Sequence, residues 1–205
     1  MGTSMSATRR SLHGVAELLL AGPQYRSHGT IRLKVTPGGF GQVAGSLRVQ
    51  GSHLVWDDDQ IPLSGSIRDL ALWAGVEPGA PEGLYSDGSG VDVDEHLAVD
   101  PADADAIASW FAVGDAALRT LVAPGEDPVL WPEHLDLAVT VDRVNYGVSA
   151  GDASLPEPYA YVGPWERREG EFWNAPFGAF RPASDLADPE ALYEFFRAGR
   201  AAAND

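Results

Sequence analysis

The chain has 205 residues and carries 30 acidic against 14 basic side chains, which gives a formal net charge of −16. It contains no cysteine, so a disulfide framework, a cysteine-ligated zinc module and a cysteine nucleophile are all excluded. The acid excess argues against nucleic-acid binding, which depends on Lys and Arg side chains that neutralise phosphates. A hydrophobic content of 44% is typical of a packed globular chain, and the length predicts a single domain over residues 1–205.

The charge is unevenly distributed along the chain. Residues 1–60 hold six bases and four acids, whereas residues 61–128 hold two bases and 13 acids. Within the acidic part, residues 76–100 are rich in Gly and acids and predict a long acidic loop. Scattered acids usually form a solvated surface. The alternative is that this surface docks a basic protein, in which case binding should weaken with salt.

The first elements follow from hydrophobic spacing. Apolar residues at helical intervals around Leu12 predict an amphipathic helix that ends at Gly22-Pro23. Alternating apolar and polar residues predict strands over 30–36 and 43–50, with Val43 facing inward. The Gly-rich residues 37–41 between them read as a flexible turn.

A hairpin turn is predicted at Gly51-Ser52, because two turn residues separate two alternating segments. This register pairs Val49 with Leu54, and Leu47 with Trp56, on one inward face.

The remaining elements come from capping residues and alternation. Helices are predicted to start at Ser66, Asp100 and Asp188, and strands to cover 135–142, 144–148 and 158–162. Strands that come in clusters separated by helices indicate an α+β fold rather than regular βαβ alternation. We therefore predict antiparallel sheet structure with about four packed helices.

The N-terminal segment contains Arg9-Arg10, which resembles a twin-arginine export signal. His13 and Glu17 interrupt the apolar run that such a signal needs, and no stretch approaches the ~18 apolar residues of a membrane span. We therefore predict a cytoplasmic protein without membrane association.

A basic patch is predicted on the polar faces of the early strands. Arg32, Lys34 and Arg48 fall close together there in an otherwise acidic chain. We expect these side chains to pair with the chain's own acids, and the alternative is that they receive an anionic ligand.

Aromatic residues are concentrated in residues 129–183, which hold nine of the 19 in the chain. Pockets are typically lined by aromatic side chains with a few polar groups, so this loop-rich region is the predicted ligand site. The alternative is a small satellite core. The candidate ligand-binding residues are Trp131, Asn145, Tyr146, Tyr159, Tyr161, Trp173 and Asn174, and the expected ligand is a small sugar-like or nucleoside-like molecule.

An acid–base group is predicted within the same region. Glu133, His134 and Asp136 are its candidate catalytic residues, and they support an alternative function as a hydrolase or proton-transfer enzyme, with or without a divalent metal. No motif assigns a cofactor or a metal-ligand set. Residues 147–151 match G-x-S-x-G, but no helix pattern and no His follow, both of which an α/β-hydrolase requires.

Four segments of this region carry a resemblance: WPEHLD (131–136), NYGVSAGD (145–152), PEPYAYVGPW (156–165) and FWNAPFGA (172–179). They resemble an uncharacterised family of hypothetical proteins from high-G+C Gram-positive bacteria. The resemblance implies a cytoplasmic bacterial protein and attaches no activity, ligand or catalytic residue.

Overall fold

The computed structural model describes residues 2–186 and 188–204, with side chains from residue 5 onward. Ten strands form one antiparallel sheet, and helices pack on one of its faces. The helical segments are α1 (Gly2–Gly14), a π-helical segment (Val15–Ala21), α2 (Gly22–His28), α3 (Ile67–Ala74), α4 (Pro101–Arg119) and α5 (Pro189–Asn204). Since the first three are continuous, the described residues hold four long helical segments besides a short 3-10 helix (Ala183–Asp185), and the predicted α+β class is confirmed.

The sheet consists of two five-stranded meanders. The first comprises β1 (Leu33–Thr36), β2 (Gly39–Gln42), β3 (Arg48–Gln50), β4 (His53–Trp56) and β5 (Asp59–Pro62). The second comprises β6 (Val129–Trp131), β7 (Asp136–Val141), β8 (Val144–Ser149), β9 (Tyr159–Pro164) and β10 (Ala179–Pro182). The spatial order β10-β9-β8-β7-β6-β1-β2-β3-β4-β5 joins them through β1 and β6.

The element order repeats within the chain. Each half begins with a long helical segment, continues with a five-stranded meander and ends with a helix: α1 to α3 in the first half, α4 to α5 in the second. The first strands of the two halves lie side by side, where Leu33 pairs with Leu130. Strands β5 and β10 therefore form the two edges of the sheet.

The helix-covered face contains the core. Leu33, Leu130, Leu137 and Val148 follow one another across the paired strands and are fully buried. Helix α4 packs directly on this face, because Gly114 leaves no room for a side chain against Val148. The opposite face of the sheet, turned away from α4 and α5, is called the open face below.

The predicted end of the first helix is wrong. The helix continues past Gly22-Pro23 to His28 and ends at Gly29, which adopts φ 71°. The π-helical segment before Pro23 accounts for this, because the N–H of Gly22 bonds to Glu17 five residues back. Its wider turns accommodate a proline that would otherwise break an α-helix.

The predicted strand over 43–50 is also partly wrong. Strand β2 occupies Gly39–Gln42 and so overlaps the predicted flexible turn over 37–41, and Val43 is 41% exposed rather than inward. The glycines serve close packing here, since a Cβ on Gly39 would collide with the backbone of Val49. Phe40, which lies between Gly39 and Gly41 in the strand, is buried in the core.

The hairpin and the helix caps follow the sequence closely. Val49 pairs with Leu54 across the turn at Gly51-Ser52, as predicted. Trp56 is not buried as Leu47 is: it is 44% exposed at the end of β4, next to a turn where Asp57 takes φ 51°. Three helices begin with the side-chain caps predicted from the sequence, at Ser66, Asp100 and Asp188.

The acidic segment contains no helix or strand between residues 76 and 100 apart from one bridge between His96 and Ser66. Two of its acids form ion pairs with the chain's own bases, Glu95 with Arg10 and Asp94 with Arg68. None of the helices within residues 2–186 and 188–204 combines the length and apolarity needed to cross a membrane.

Candidate functional site

A cleft of about 1420 Å³ lies on the open face of the second half and is called the sheet cleft below. Strands β7, β8 and β9 form its floor, α1 contributes one wall, and the loops 151–157 and 165–178 contribute the others. The predicted site residues His134, Asp136, Asn145, Tyr159, Tyr161 and Asn174 all line it, together with Glu133. The structure thus brings together residues that are up to 41 positions apart in sequence, from Glu133 to Asn174.

The residues share this face because of the strand register. Asp136 of β7 pairs with Ser149 of β8, which pairs with Tyr159 of β9. In the next row, Gly147 of β8 pairs with Tyr161 of β9. Side chains two residues apart on a strand point to the same face, so both rows project into the cleft.

The central contact of the cleft joins Tyr161 and Asp136. The Tyr161 ring lies over Gly147, where a Cβ would come within 2.5 Å of the phenol oxygen, and its hydroxyl donates to Asp136 Oδ2. Gly147 is therefore required for Tyr161 to cross β8 and reach the carboxyl group on β7. The other carboxyl oxygen, Asp136 Oδ1, is buried and has no hydrogen-bond partner among the described residues.

Burial governs the protonation of this pair. Asp136 is 8% exposed, and burial raises the pKa of its carboxyl group above the ordinary value, although the hydrogen bond from Tyr161 opposes the shift. Burial, together with the neighbouring Asp136 carboxyl, also raises the pKa of the Tyr161 phenol. Both shifts favour the neutral, proton-carrying form of each group.

Glu133 and His134 lie at the rim of the cleft. His134 Nε2 is 3.7 Å from Glu133 Oε1, and the His134 side chain is 62% exposed. Helix α1 fixes the turn that carries them, because His13 Nε2–H donates to the carbonyls of Pro132 (2.9 Å) and Glu133 (3.1 Å). Burial lowers the pKa of His13, so the neutral imidazole is favoured there.

The far wall is built around Asp152. Tyr159 Oη donates to Asp152 Oδ2 at 2.8 Å, and the backbone N–H groups of Ser154 and Leu155 donate to Asp152 Oδ1. Burial alone would raise the pKa of Asp152, but these hydrogen bonds outweigh it and lower the pKa. Arg9 of α1 holds the loop 151–157 in place by donating to the backbone carbonyls of Asp152 and Pro156.

Two polar side chains differ in what they leave free for a ligand. Asn145 Oδ1 accepts from Thr140 (2.8 Å) and Trp165 (3.3 Å), so its amide nitrogen remains as a donor to the cleft. The Asn174 amide group is occupied, because both of its polar atoms bond to the backbone of Phe180.

Three predicted ligand-binding residues do not line the sheet cleft. Tyr146 is 1% exposed on the helix-covered face and packs edge-on against Phe196 of α5, so it does not contact the sheet cleft. Trp173 packs against Phe172 outside the cleft. Trp131 lies in an adjoining depression, described below.

Other cleft residues were missed by the sequence analysis. They are Arg9, His13, Asp152, Trp165, Phe177 and Phe180. The three aromatics were visible as part of the aromatic excess. Arg9 and His13 carry no sequence signal, because they lie on α1, more than 100 residues before the cleft residues that they contact.

Ser149 of the G-x-S-x-G match is no nucleophile elbow. Its side chain is buried in β8 and accepts from the N–H of Gly151, and no helix follows the strand. Within the described residues, no group of three or more His, Asp or Glu side chains is arranged to hold a metal ion.

The basic patch also differs from expectation. Among the described residues, Arg32, Lys34 and Arg48 form no ion pair with any acid, so the expected self-pairing is wrong. The Arg32 guanidinium instead lies 6.0 Å from the centre of the Trp131 ring.

Comparison with known proteins gave no relative: no family model matches the chain, and no similar curated protein or solved structure was found. The resemblance to the Gram-positive family therefore stays a prediction.

Proposed function

We propose that this protein binds a small polar ligand with a ring, of the sugar or nucleoside type, in the sheet cleft. The observation that carries the proposal is the buried Asp136 carboxyl group on the cleft floor, with Oδ2 bonded to Tyr161 and Oδ1 unpaired. An unpaired buried polar atom costs free energy, so a ligand hydroxyl or amine that forms a hydrogen bond with Oδ1 is favoured.

The aromatic wall supports a ring-shaped ligand. Tyr159 lies with its ring centre 6.2 Å from those of Tyr161 and Phe180, and Phe180 lies 6.4 Å from Phe177. Trp165 is exposed at the rim of the same wall. Such surfaces stack on the faces of sugars and bases, while Asp136 and the Asn145 amide group supply hydrogen bonds of both directions.

A panel of sugars, polyols and nucleosides tests the proposal by thermal unfolding and tryptophan fluorescence. A compound at 100 times its Kd should stabilise the folded protein by about 2.7 kcal/mol. Asp136→Asn and Tyr161→Phe should each weaken binding by about tenfold, the effect of losing one strong hydrogen bond. Tyr146→Phe is the matched control, since it removes the same hydroxyl on the helix-covered face.

Two results would contradict ligand binding in the cleft. One is a panel in which no compound changes either the fluorescence or the unfolding temperature. The other is a bound compound whose Kd responds equally to Tyr161→Phe and Tyr146→Phe.

Proton-transfer or hydrolytic chemistry at Glu133, His134 and Asp136 is the second candidate function. The observation in its favour is the raised pKa of Asp136 in the cleft floor, since a carboxyl group that holds its proton to higher pH is better suited to act as a general acid. If a bound compound is turned over, Asp136→Asn should remove turnover while leaving binding measurable. Turnover that survives both Asp136→Asn and His134→Gln would contradict this candidate.

A further inference from the structure

We infer that Arg32, Lys34 and Arg48 form a subsite for an anionic group, a phosphate or a carboxylate, on the ligand of the sheet cleft. This inference rests on the proposed function for the ring-binding part of the ligand. The subsite itself is defined by residues of the first half of the sheet and can be tested separately.

The strand register aligns the three cations on the open face. Lys34 of β1 pairs with Gly41 of β2, which pairs with Arg48 of β3. Arg32 precedes Lys34 by two residues and therefore projects from the same face. Gly41 lies between them and allows β3 to approach closely, because a Cβ there would lie 2.5 Å from the Cβ of Arg48.

The cations are available to a ligand. In a chain with 30 acids, neither Lys34 nor Arg48 has a hydrogen bond or ion pair to another described side chain. One acid at the border of the depression, Asp127, is engaged elsewhere, because it pairs with Arg119. Glu126 also borders the depression, and its carboxylate repels an anion on that side.

The depression that holds Arg32 and Lys34 is continuous with the sheet cleft. It measures about 1040 Å³, and its lining includes Asp136, Asn145 and Tyr161, which also line the cleft. The strand register places Val129 and Ala138 between Lys34 and Gly147, and the Tyr161 ring covers Gly147. Only short side chains therefore separate Lys34 from the aromatic ring at the near end of the sheet cleft.

The span matches a compact ligand with one charged end. Arg32 directly precedes β1, Trp131 lies on β6 and Asp136 on β7, so the backbones of Arg32 and Asp136 are about 10 Å apart at the usual strand spacing. A sugar phosphate or a nucleoside monophosphate can bridge this span, with its phosphate at the cations and a ring hydroxyl at Asp136. Trp131 fills the interval and adds a stacking surface beneath the Arg32 guanidinium.

The test uses inorganic phosphate and acetate as probes at constant ionic strength, with chloride as the reference anion, followed by amide NMR. Phosphate should shift the amide signals of Lys34, Gly41 and Arg48 in a saturable manner, and acetate at the same amides would indicate that a carboxylate is accepted as well. Lys34→Gln combined with Arg48→Gln should weaken the binding by about tenfold or more. Arg167→Gln combined with Arg168→Gln makes the same charge change on exposed residues elsewhere and should leave the binding unchanged.

The inference is overturned if the shifts are linear with concentration and equal for chloride, or if they survive the Lys34/Arg48 double substitution. Failure of the cleft proposal would look different. Phosphate would still bind at these amides, while no neutral compound of the panel bound near Asp136. Conversely, a neutral compound that binds the cleft without any phosphate effect would overturn the subsite alone.

Discussion

On the open face, equivalent rows of the two halves carry different chemistry. The row of the first half starts at Lys34, the residue after Leu33, and runs through Gly41, Arg48, Val55 and Gln60. The row of the second half starts at Trp131, the residue after Leu130, and runs through Asp136, Ser149, Tyr159 and Pro182. One row presents unpaired cations around a glycine, and the other presents a buried acid between aromatic side chains.

The helix-covered face differs less between the halves, because in each an aromatic side chain of the sheet packs edge-on against a phenylalanine of a helix. Phe40 of β2 packs edge-on against Phe111 of α4 at 6.3 Å, and Tyr146 of β8 packs edge-on against Phe196 of α5 at 6.1 Å. Both faces belong to the same strands, so the difference lies in what covers them. A face that must pack against helices tolerates few solutions, whereas an uncovered face is free to diverge toward binding.

The largest expected effect concerns the core that the halves share. Phe111 is fully buried on α4, a helix that contacts β1 and β2 of the first half and β7 and β8 of the second. Phe111→Ala should lower the free energy of unfolding by about 3–5 kcal/mol. Urea unfolding followed by circular dichroism and by fluorescence should give coincident transitions if the halves remain one cooperative unit.

Phe177→Ala is the matched control for Phe111→Ala, since this ring is exposed at the cleft and should contribute far less to stability. Two separate unfolding transitions, or equal losses for the two variants, would show that the halves do not depend on a common core.

A smaller effect is expected from the glycine beneath Tyr161. Gly147→Ala introduces a methyl group that overlaps the Tyr161 ring, so the ring must leave Asp136. Overpacking of this kind costs about 1–3 kcal/mol in the free energy of unfolding, and ligand binding in the cleft should be lost as well. Gly163→Ala is the control, because a Cβ there meets its nearest neighbour at an ordinary 3.5 Å. If both variants behave alike, Gly147 is not needed for the Tyr161–Asp136 contact.

The smallest effect is a pH dependence specific to the second half. The pKa of Asp136 is raised in the folded protein. The contribution of this group to the free energy of unfolding is therefore fully present at pH values below the ordinary 3.8 and is lost as the pH rises through the raised value. Each unit of the shift corresponds to about 1.4 kcal/mol. Asp136→Asn should remove this loss, which urea unfolding at a series of pH values would measure.

Asp58→Asn, in an exposed turn of the first half, serves as the control for Asp136→Asn. Identical pH profiles for the native protein and Asp136→Asn would mean that burial does not control the protonation of Asp136.

Features governed by neighbouring residues could be predicted from the sequence. The capping box at Ser66 and Asp69 and the pairing of Val49 with Leu54 require only local spacing, and both are present. The strand containing Phe40 was missed because its flanking glycines read as a turn, although they are needed for close approach to β3. The repeated arrangement of elements was not predictable, since strand order depends on contacts between distant segments.

The site was predictable as a region but not as a set of residues. Alternation shows that Tyr159 and Tyr161 share a face, but not which face the helices cover. Tyr146 pairs with Val162, whose neighbours Tyr161 and Gly163 point the other way, so the strand pairing decides that Tyr146 is a core residue. Arg9 and His13 reach the cleft through the packing of α1, which no local pattern encodes.

The two edge strands of the sheet, β5 and β10, both end in proline, and this affects how readily two molecules can join through their sheet edges. Pro62 on β5 pairs with His53, and Pro182 on β10 pairs with Tyr159. Proline has no backbone N–H to offer, so an incoming strand finds a donor missing at both margins of the sheet. The same residue type at both margins discourages the end-to-end growth of sheets that leads from folded monomers to insoluble aggregates.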